Sequence, residues 1–449
     1  MSANPLKPRL PQGFRDFLPA TMLKRDYVMQ TVKDVFHLFG FEPLQTPVLE
    51  LRETLFGKYG EDAEQLIFEA KHGRSEKEPL AMRYDLTVPL ARVVAQYENE
   101  IKLPFKRYQM APVWRGERPQ RGRYREFYQC DADIVGVANM SADAELVSLL
   151  VMALRRLGLT QFIVKVNNRK LLTGMGQYSG VSDDQLPDLY RSIDKFDKIG
   201  AEGVEKELLE RGMDAEVVSR MLKLIQAKDV GTRTLDNVED VLGVNPIAKE
   251  ALDELRQMAE HLDQLGVPQE FYEFDFTTVR GLGYYTGPIC EAVFTGGGIG
   301  SIAGGGRYDD LIGMFRKQSL PTSGVSLGIE RIIVLMDELN LYPASLSGTV
   351  VQAYVTVFGE ETRGESTKLA ALLRNAGIRT ELYLDSGKPK LGKQFAHADG
   401  KGIPLVVIVG PEEVAQGVVK LKRLRDGLEL TVARASLVEK ARELLQEQA

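Results

Sequence analysis

Apolar residues recur at helical spacing from Thr21 to Phe39 (Leu23, Tyr27, Val28, Val32, Val35, Phe36, Phe39), and Gly40 stands where such a helix stops. Phe41–Leu51 reads as extended. Pro43 and Pro47 within it remove backbone donors, which puts this strand at a sheet border or a subunit border. Phe105–Trp114 and Glu126–Val135 are two strand-like runs joined by the polar stretch Arg115–Arg125. That is the pattern of an antiparallel hairpin with a long loop, and loops of that length tend to be functional. Ala142–Leu157 returns to helical spacing and Phe162–Val166 to a strand.

From about residue 170 to 268, charged residues alternate with Leu, Val, Ile and Met at helical spacing, as in Glu205–Leu209 and Val217–Ile225. Strand signals resume at Phe271–Val279 and Tyr284–Phe294, glycine triplets follow at Gly296–Gly298 and Gly304–Gly306, and Val325–Leu335 reads as a turn into a helix. After the polar linker Ser345–Gly348, strands (Val350–Phe358, Arg379–Leu384, Leu405–Val409) alternate with helices (Glu365–Asn375, Leu391–His397, Leu437–Leu445). Such alternation implies a small α/β domain with a mainly parallel sheet. The expected organisation is a first domain split into 1–168 and 269–345, a helical insertion at 169–268 within it, and a last domain at 348–449.

At 449 residues the chain exceeds one ordinary core, and 44% hydrophobic with 27% charged residues is the balance of a globular protein. The net charge of −6 does not advertise nucleic-acid binding, so local clusters must decide. Two cysteines far apart, Cys130 and Cys290, and four scattered histidines exclude a disulfide framework and make a protein-built zinc centre a poor reading. No apolar run approaches the ~20 residues needed to span a bilayer. The N-terminus shows neither a signal-peptide core nor an amphipathic leader, so the expected compartment is the cytoplasm, with no membrane partner.

Arg115, Arg118, Arg121, Arg123 and Arg125 fall within eleven residues, against a single acid, Glu117. Guanidinium groups chelate phosphate bidentately and keep their charge, so this hairpin tip suits a triphosphate or an RNA backbone, and Phe127 offers an aromatic face for a base. Alone, the cluster is equally a solvated surface loop. Its wider sequence, FKRYQMAPVWRGERPQRGRYREFYQCDADIVG, resembles motif 2 of class II aminoacyl-tRNA synthetases in the form found in histidyl-tRNA synthetases. RGLGYYTG (Arg280–Gly287) and AGGGRYDDL (Ala303–Leu311) resemble that family's two histidine signatures. SLGIERI (Ser326–Ile332) resembles class II motif 3, and MRYDLTVPLAR (Met82–Arg92) the segment that binds the substrate amino group. These matches run in family order over nearly the whole chain. Gly283 departs from the signature, where the family often has an acid or serine.

The resemblance implies a class II catalytic domain of α/β (α+β) class, with a mainly antiparallel sheet and flanking helices, followed by an α/β anticodon-binding domain. It implies L-histidine, ATP and tRNA(His) as substrates, with Mg²⁺ carried mostly by the phosphates. Arg115 would contact the α-phosphate and the substrate carboxylate, with Arg280 on the reacting phosphate's other side as the second catalytic arginine. Glu117, Arg123, Phe127 and Arg331 would hold ATP, with Phe127 stacked on adenine and Arg331 over the γ-phosphate. Asp85, Thr87 and Gln129 would receive the substrate ammonium, and Leu86 lies in the same segment. Asp133 and Tyr285 would read the imidazole, with Tyr284 and Tyr308 beside them. Gln120 would meet the tRNA acceptor end. The Pro47 strand resembles motif 1, the dimer interface of this class, so a homodimer is expected.

Other patterns compete. Gly324–Gly328 fits a G-x-S-x-G nucleophile elbow with Asp385 and His397 following, but Leu320–Ser323 read as too polar for the buried strand an elbow requires. Gly298-x-Gly300-x-x-Ala303 fits a dinucleotide fingerprint by letter and lacks the helix that must begin there. No G-x-x-x-x-G-K-[ST] sequence occurs. The alternative from another class is a non-catalytic, synthetase-like subunit that senses histidine and regulates its biosynthesis. Such proteins typically lack the C-terminal domain and lose signature residues. Here the tail carries Lys388, Lys390, Lys393, Lys420, Lys422, Arg423 and Arg425, suited to phosphate contacts and equally to a solvated face.

Overall fold

The computed structural model describes residues 7–59, 61–71, 78–279, 283–346, 348–384 and 390–446. The chain divides into two compact units, one of residues through Arg15 with Val28–Leu341, the other of Asp16–Tyr27 with Tyr342–Ala449.

The first unit is built on an eight-stranded sheet. Its strands are β1 (Glu42–Pro43), β5 (Phe105–Trp114), β6 (Glu126–Val135), β7 (Phe162–Asn168), β8 (Tyr272–Phe274), β9 (Pro288–Phe294), β10 (Ser301–Arg307) and β11 (Thr322–Gly328), in the order β1-β5-β6-β11-β10-β9-β7-β8. The six central strands pair antiparallel and only the two edge strands join parallel. Pro43 sits on edge strand β1, where a missing donor breaks no ladder bond. The expected strand Phe41–Leu51 is interrupted. Its second half, β2 (Leu49–Leu51), pairs in a separate three-stranded sheet with β3 (Glu69–Ala70) and β4 (Leu80–Met82).

Helix α1 (Pro19–Leu38) precedes the sheet, one-turn helices α2 (Arg52–Leu55) and α3 (Glu61–Glu64) follow β2, and α4 (Thr87–Gln96) follows β4. Helix α5 (Ser141–Arg156) crosses β6, β9, β10 and β11 on one sheet face. The pleat of β6 turns buried Cys130, Ala132 and Ile134 to that face, and Ala132 lies in line with Val325, Gly305 and Cys290. Between β7 and β8 the chain makes six helices: α6 (Arg169–Ser179), α7 (Leu186–Ile193), α8 (Phe196–Glu210), α9 (Ala215–Ile225), α10 (Arg233–Leu242) and α11 (Pro246–Gln264). Asn168, Asp214 and Asn245 cap α6, α9 and α11 by accepting first-turn amides. Helix α12 (Ile329–Glu338) leaves the end of β11.

The second unit carries a five-stranded sheet in the order β13-β12-β14-β15-β16, from β12 (Ala353–Val355), β13 (Thr380–Leu382), β14 (Leu405–Ile408), β15 (Val418–Arg423) and β16 (Glu429–Ala433). Its helices are α13 (Glu360–Asn375), α14 (Leu391–Gly400), α15 (Pro411–Gln416) and α16 (Leu437–Gln446). Against expectation the sheet is mixed: β12 pairs parallel with β13 and β14, while β14, β15 and β16 pair antiparallel. The hairpin β15–β16 carries the period-two pattern of a half-buried strand pair, which the reading of Lys420, Lys422 and Arg423 as a basic cluster passes over.

Candidate active site

On the sheet face opposite α5, polar residues sit at every second position. Arg107 and Gln109 of β5 stand across from Asp133 and Asp131 of β6, and Ala111 across from Gln129. On the other side of β6, Asp133, Asp131 and Gln129 face Gly324, Ser326 and Gly328 of β11. A β-carbon at Gly324 would lie 1.9 Å from Asp133 Oδ1, so only glycine leaves room for that carboxylate. Asp133 forms an ion pair with Arg107 at 2.8 Å, both almost wholly buried, and accepts a hydrogen bond from the Tyr308 hydroxyl. Arg107 also donates to the Leu86 carbonyl at 3.0 Å. Burial raises the Asp133 carboxyl above its ordinary range, and Arg107 and Tyr308 pull it back. Asp131 is pushed up to about 7 by burial, with the neighbouring Asp133 charge adding to the rise. Gln129 donates to Ser326 Oγ at 3.2 Å. Gln129 Oε1, Asp131 Oδ1 and two nitrogens of Arg107 are buried with no hydrogen-bond partner among the described residues. Buried polar atoms normally find partners, so this floor is built to receive polar guest atoms.

The start of α4 forms the adjoining wall. Asp85 Oδ1 accepts from the Thr87 and Val88 amides at 3.1 and 3.0 Å and from the Tyr59 hydroxyl at 2.9 Å. These bonds aim the carboxyl, whose Oδ2 is buried with no partner among the described residues. Burial raises Asp85, while the amides, Arg115 and Tyr59 favour its ionised form. Tyr284 packs between Tyr285, tilted against it with ring centres 4.9 Å apart, and Tyr308, edge-on at 5.7 Å. Burial pushes its hydroxyl far above the usual tyrosine range, and Asp85 contributes to the rise.

Beyond this socket lies the arginine loop. Arg115 donates to the Tyr84 carbonyl at 3.1 Å, and its guanidinium carbon lies 4.4 Å from the Tyr84 ring centre and 5.1 Å from that of Phe127. Phe127 packs on Leu86, Ala111 and Val113. Arg123 pairs with Glu117 through two hydrogen bonds, and Gln120 and Arg123 close the loop by a two-way backbone bridge of 3.0 and 2.9 Å. Arg331, in the first turn of α12, donates to the Ser301 carbonyl and packs under the loop tip, where a β-carbon at Gly122 would lie 3.0 Å from its Cγ. The structure thus gathers Asp85, Thr87, Gln129, Asp133, Tyr284, Tyr285, Tyr308 and Arg115 in one socket, with Arg123 and Arg331 at a second, more exposed end. Arg280 lies outside the described residues.

The model of the family described as histidyl-tRNA synthetase matches residues 13–332, and that described as anticodon binding domain matches 352–444. This chain belongs to the histidyl-tRNA synthetase family. It is 39% identical to the histidine–tRNA ligase of Bacteroides fragilis strain YCH46, over 96% of this chain and 98% of that protein. It is 42% identical to that of Aeropyrum pernix, over 98% and 99%. The crystal structure of histidyl-tRNA synthetase from Nostoc sp. PCC 7120 superposes with a TM-score of 0.85 at 31% identity, covering 98% of this chain and 100% of that one.

Within this synthetase fold several expectations change. Tyr284 and Tyr285 precede their strand instead of starting it. β9 begins at Pro288, because the chain first turns through Thr286, whose amide bonds the Arg307 carbonyl at 2.8 Å. The strand expected over Phe271–Val279 stops at Phe274, where Asp275 accepts the Thr277 amide at 2.9 Å and starts a turn. Thr322–Gly328 is a buried central strand and not a turn, and Thr322 and Ser323 are buried in it despite their polarity. The elbow still does not exist, because Ser326 lies within the strand, paired with Asp131 and Gly304. In the second unit Lys420 pairs with Glu413 at 3.0 Å, Lys422 with Glu429 at 3.7 Å, and Arg423 with Asp426 at 2.7 Å, which tempers the basic cluster there. Lys388 and Asp385 lie outside the described residues.

Sequence reasoning passed over Arg107, Asp131 and Tyr59. The signal for the first two was present: Arg107-x-Gln109 and Gln129-x-Asp131-x-Asp133 place charge on one face of strands otherwise apolar. Tyr59 had no local signal, since its partner Asp85 is remote in sequence.

Proposed function

We propose that this protein is a histidine–tRNA ligase, which joins L-histidine to ATP as histidyl-adenylate with release of pyrophosphate and then passes histidine to the 3′ end of tRNA(His). The observation that carries the reading is the buried Arg107–Asp133–Tyr308 set, on the strand that leads from the arginine loop and near enough to Asp85 to feel its charge. A carboxylate fixed by an arginine and a tyrosine is an acceptor for an imidazole N–H. Asp85 Oδ2 and Gln129 Oε1 are acceptors for an ammonium group. Sites that hydrogen-bond a polar substrate reject analogues lacking the group by ~10⁴ or more without editing.

In the first step a histidine carboxylate oxygen attacks the α-phosphorus of ATP, the new O–P bond forms and pyrophosphate leaves. Both reactants are anionic, so the site must neutralise charge and hold an in-line geometry. Arg115, fixed over Tyr84 and Phe127, takes the carboxylate and α-phosphate, with Arg280 on the opposite side. Arg123 and Arg331 take the far phosphates, Glu117 and Phe127 the adenine end, and Gln120 the tRNA acceptor end. In the second step a terminal ribose hydroxyl attacks the acyl carbon and AMP leaves. Mg²⁺ enters with ATP, held mainly by phosphates; among the described residues no group of three or more His, Cys, Asp or Glu is arranged to hold an ion.

Residues 1–168 and 269–345 form the catalytic domain in this reading, 169–268 its helical insertion, and 348–449 the anticodon-binding domain. A second copy pairs along the segment of β2, where Val48, Leu49 and Leu51 are exposed. We place the protein in the cytoplasm. No helix of the described residues is long and apolar enough to cross a membrane. The histidine-sensing regulatory subunit is the weaker reading, because Arg280, Tyr284, Tyr285 and Arg331 are all present in the sequence. Histidine-dependent exchange of pyrophosphate into ATP tests the proposal. Robust exchange with histidine, crippled by Arg280→Ala, is expected; exchange with another amino acid, or none, sinks it.

A further inference from the structure

The segment entering the first unit at residues 7–15 has no regular structure, yet its end grips the arginine loop. The Gly13 carbonyl accepts the Arg125 amide at 3.0 Å, at the corner where the Arg115 amide bonds the Arg125 carbonyl at 2.9 Å. Gly13 has φ +86°, and a β-carbon there would lie 2.8 Å from Arg125 Cγ, so backbone conformation and space both call for glycine. Two residues later Arg15 lays its guanidinium carbon 3.2 Å from the centre of the Tyr124 ring and hydrogen-bonds the buried Glu330 carboxylate through Nη2. Tyr124 sits between Arg123 and Arg125 in the loop, and Glu330 immediately precedes Arg331 on α12. One planar cation therefore touches the chain neighbour of each far-phosphate arginine.

We propose that Arg15 is a positioning residue for the triphosphate end of the site: it ties the arginine loop to α12, so that Arg123 and Arg331 face the same phosphates. The inference rests on the ATP-binding part of the function proposed above. The loop's other links to α12 are weaker: Arg118, Gln120, Arg121 and Arg123 are all exposed, the pair of Arg121 with Glu338 is an exposed one, and Arg331 meets the tip at Gly122 by packing alone. A guanidinium serves where an ammonium would not, because it can stack on a ring and bond a carboxylate at once.

The test uses the full chain and two measurements: equilibrium binding of MgATP without histidine, and histidine-dependent pyrophosphate exchange. Arg15→Ala should weaken MgATP binding about tenfold, while half-saturating histidine stays within about twofold. Arg15→Lys keeps the charge beside Glu330 but not the stack, and should fall between. Tyr124→Leu should reproduce most of the loss, and combining it with Arg15→Ala should add little, as coupled residues do. Unchanged MgATP binding in both Arg15 variants overturns the proposal. So does a parallel loss for ATP and histidine with a lowered melting temperature, which marks general damage. If the wild type binds MgATP in this Arg15-dependent way but exchanges no pyrophosphate with histidine, the ligase reading fails and the inference stands. A wild type that binds no MgATP ends both.

Discussion

The two ends of the site use charge in opposite ways. At the sheet floor, Asp133 and Arg107 are buried, ladder-paired and locked by Tyr308 and the Gly324 contact. At the loop, the exposed Arg123 pairs with a mostly covered Glu117, and Arg121 reaches across to Glu338 on α12. A buried pair keeps its geometry because separating it leaves an uncompensated charge, whereas an exposed pair exchanges with water at little cost. On the function proposed above, the floor is preorganised to read a small ring by its two nitrogens, and the loop holds cations in reserve for a polyanion that brings its own charge. That function draws specificity and phosphate capture from different physics in one hairpin, since Asp133 and Arg123 are both carried on β6 and the loop leading into it.

The sharpest way to break this contrast is Asp133→Ala. Arg107 would be left buried without its carboxylate, at about 3–5 kcal/mol of stability. Discrimination for histidine over an isosteric non-polar analogue should collapse by up to ~10⁴. Pyrophosphate exchange with both amino acids measures the ratio, and urea unfolding measures the stability. Retained discrimination would show that the imidazole is read elsewhere.

Arg115→Ala comes next. It removes a preorganised donor from the reacting phosphate and should lower kcat for exchange about a hundredfold, or ~3 kcal/mol. A change confined to the KM for ATP would move Arg115 from the reacting centre to the reserve set at the loop.

Asp131→Asn probes the floor by pH. The Asp131 carboxyl is pushed up to about 7 from an ordinary 3.8, so between about pH 4 and 7 the unfolded chain has released this proton and the folded one still holds it. Stability must then fall as pH rises through that window, by at most ~1.4 kcal/mol per pH unit, and level off above it. The asparagine variant lacks this slope. Urea midpoints at pH 5 and pH 8 should therefore favour the variant increasingly toward pH 8. Parallel slopes for both proteins would show that Asp131 ionises normally.

The same contrast explains what was legible in the sequence. Both strands of the hairpin, Phe105–Trp114 and Glu126–Val135, were readable to the residue because long alternating runs bound a polar loop. The sheet's mainly antiparallel character followed from family resemblance. Tyr284 and Tyr285 were mistaken for strand residues because aromatics favour strands, whereas here a bond from Thr286 to the remote Arg307 decides the backbone. Thr322 and Ser323 looked too polar for a core, yet Ser323 bonds Asp143 at 2.8 Å on the α5 face. The Arg107–Asp133 pair was hidden for the same reason: local composition reports a charge, and only cross-strand register reports its partner.

Arg121→Ala tests the contrast at its weakest point. Arg121 has the same chemistry as Arg115 and lies in the same loop, so composition gives no reason to rank them differently. Its side chain is more than half exposed and pairs with Glu338, which is itself nearly half exposed. Such a pair contributes roughly 0–1 kcal/mol and is screened by salt. Arg115 instead lies within 4.4 and 5.1 Å of two ring centres and donates to the Tyr84 carbonyl through Nε. Losing Arg121 should change the KM for ATP by less than about threefold and leave kcat for exchange alone. Its small effect should shrink further at high salt, while that of the half-buried Arg115, packed beside two rings, should shrink less. Kinetics of both alanine variants at low and high ionic strength decide the matter. A hundredfold loss for Arg121 would mean that the whole loop, and not only its half-buried root, is built around the reacting phosphate.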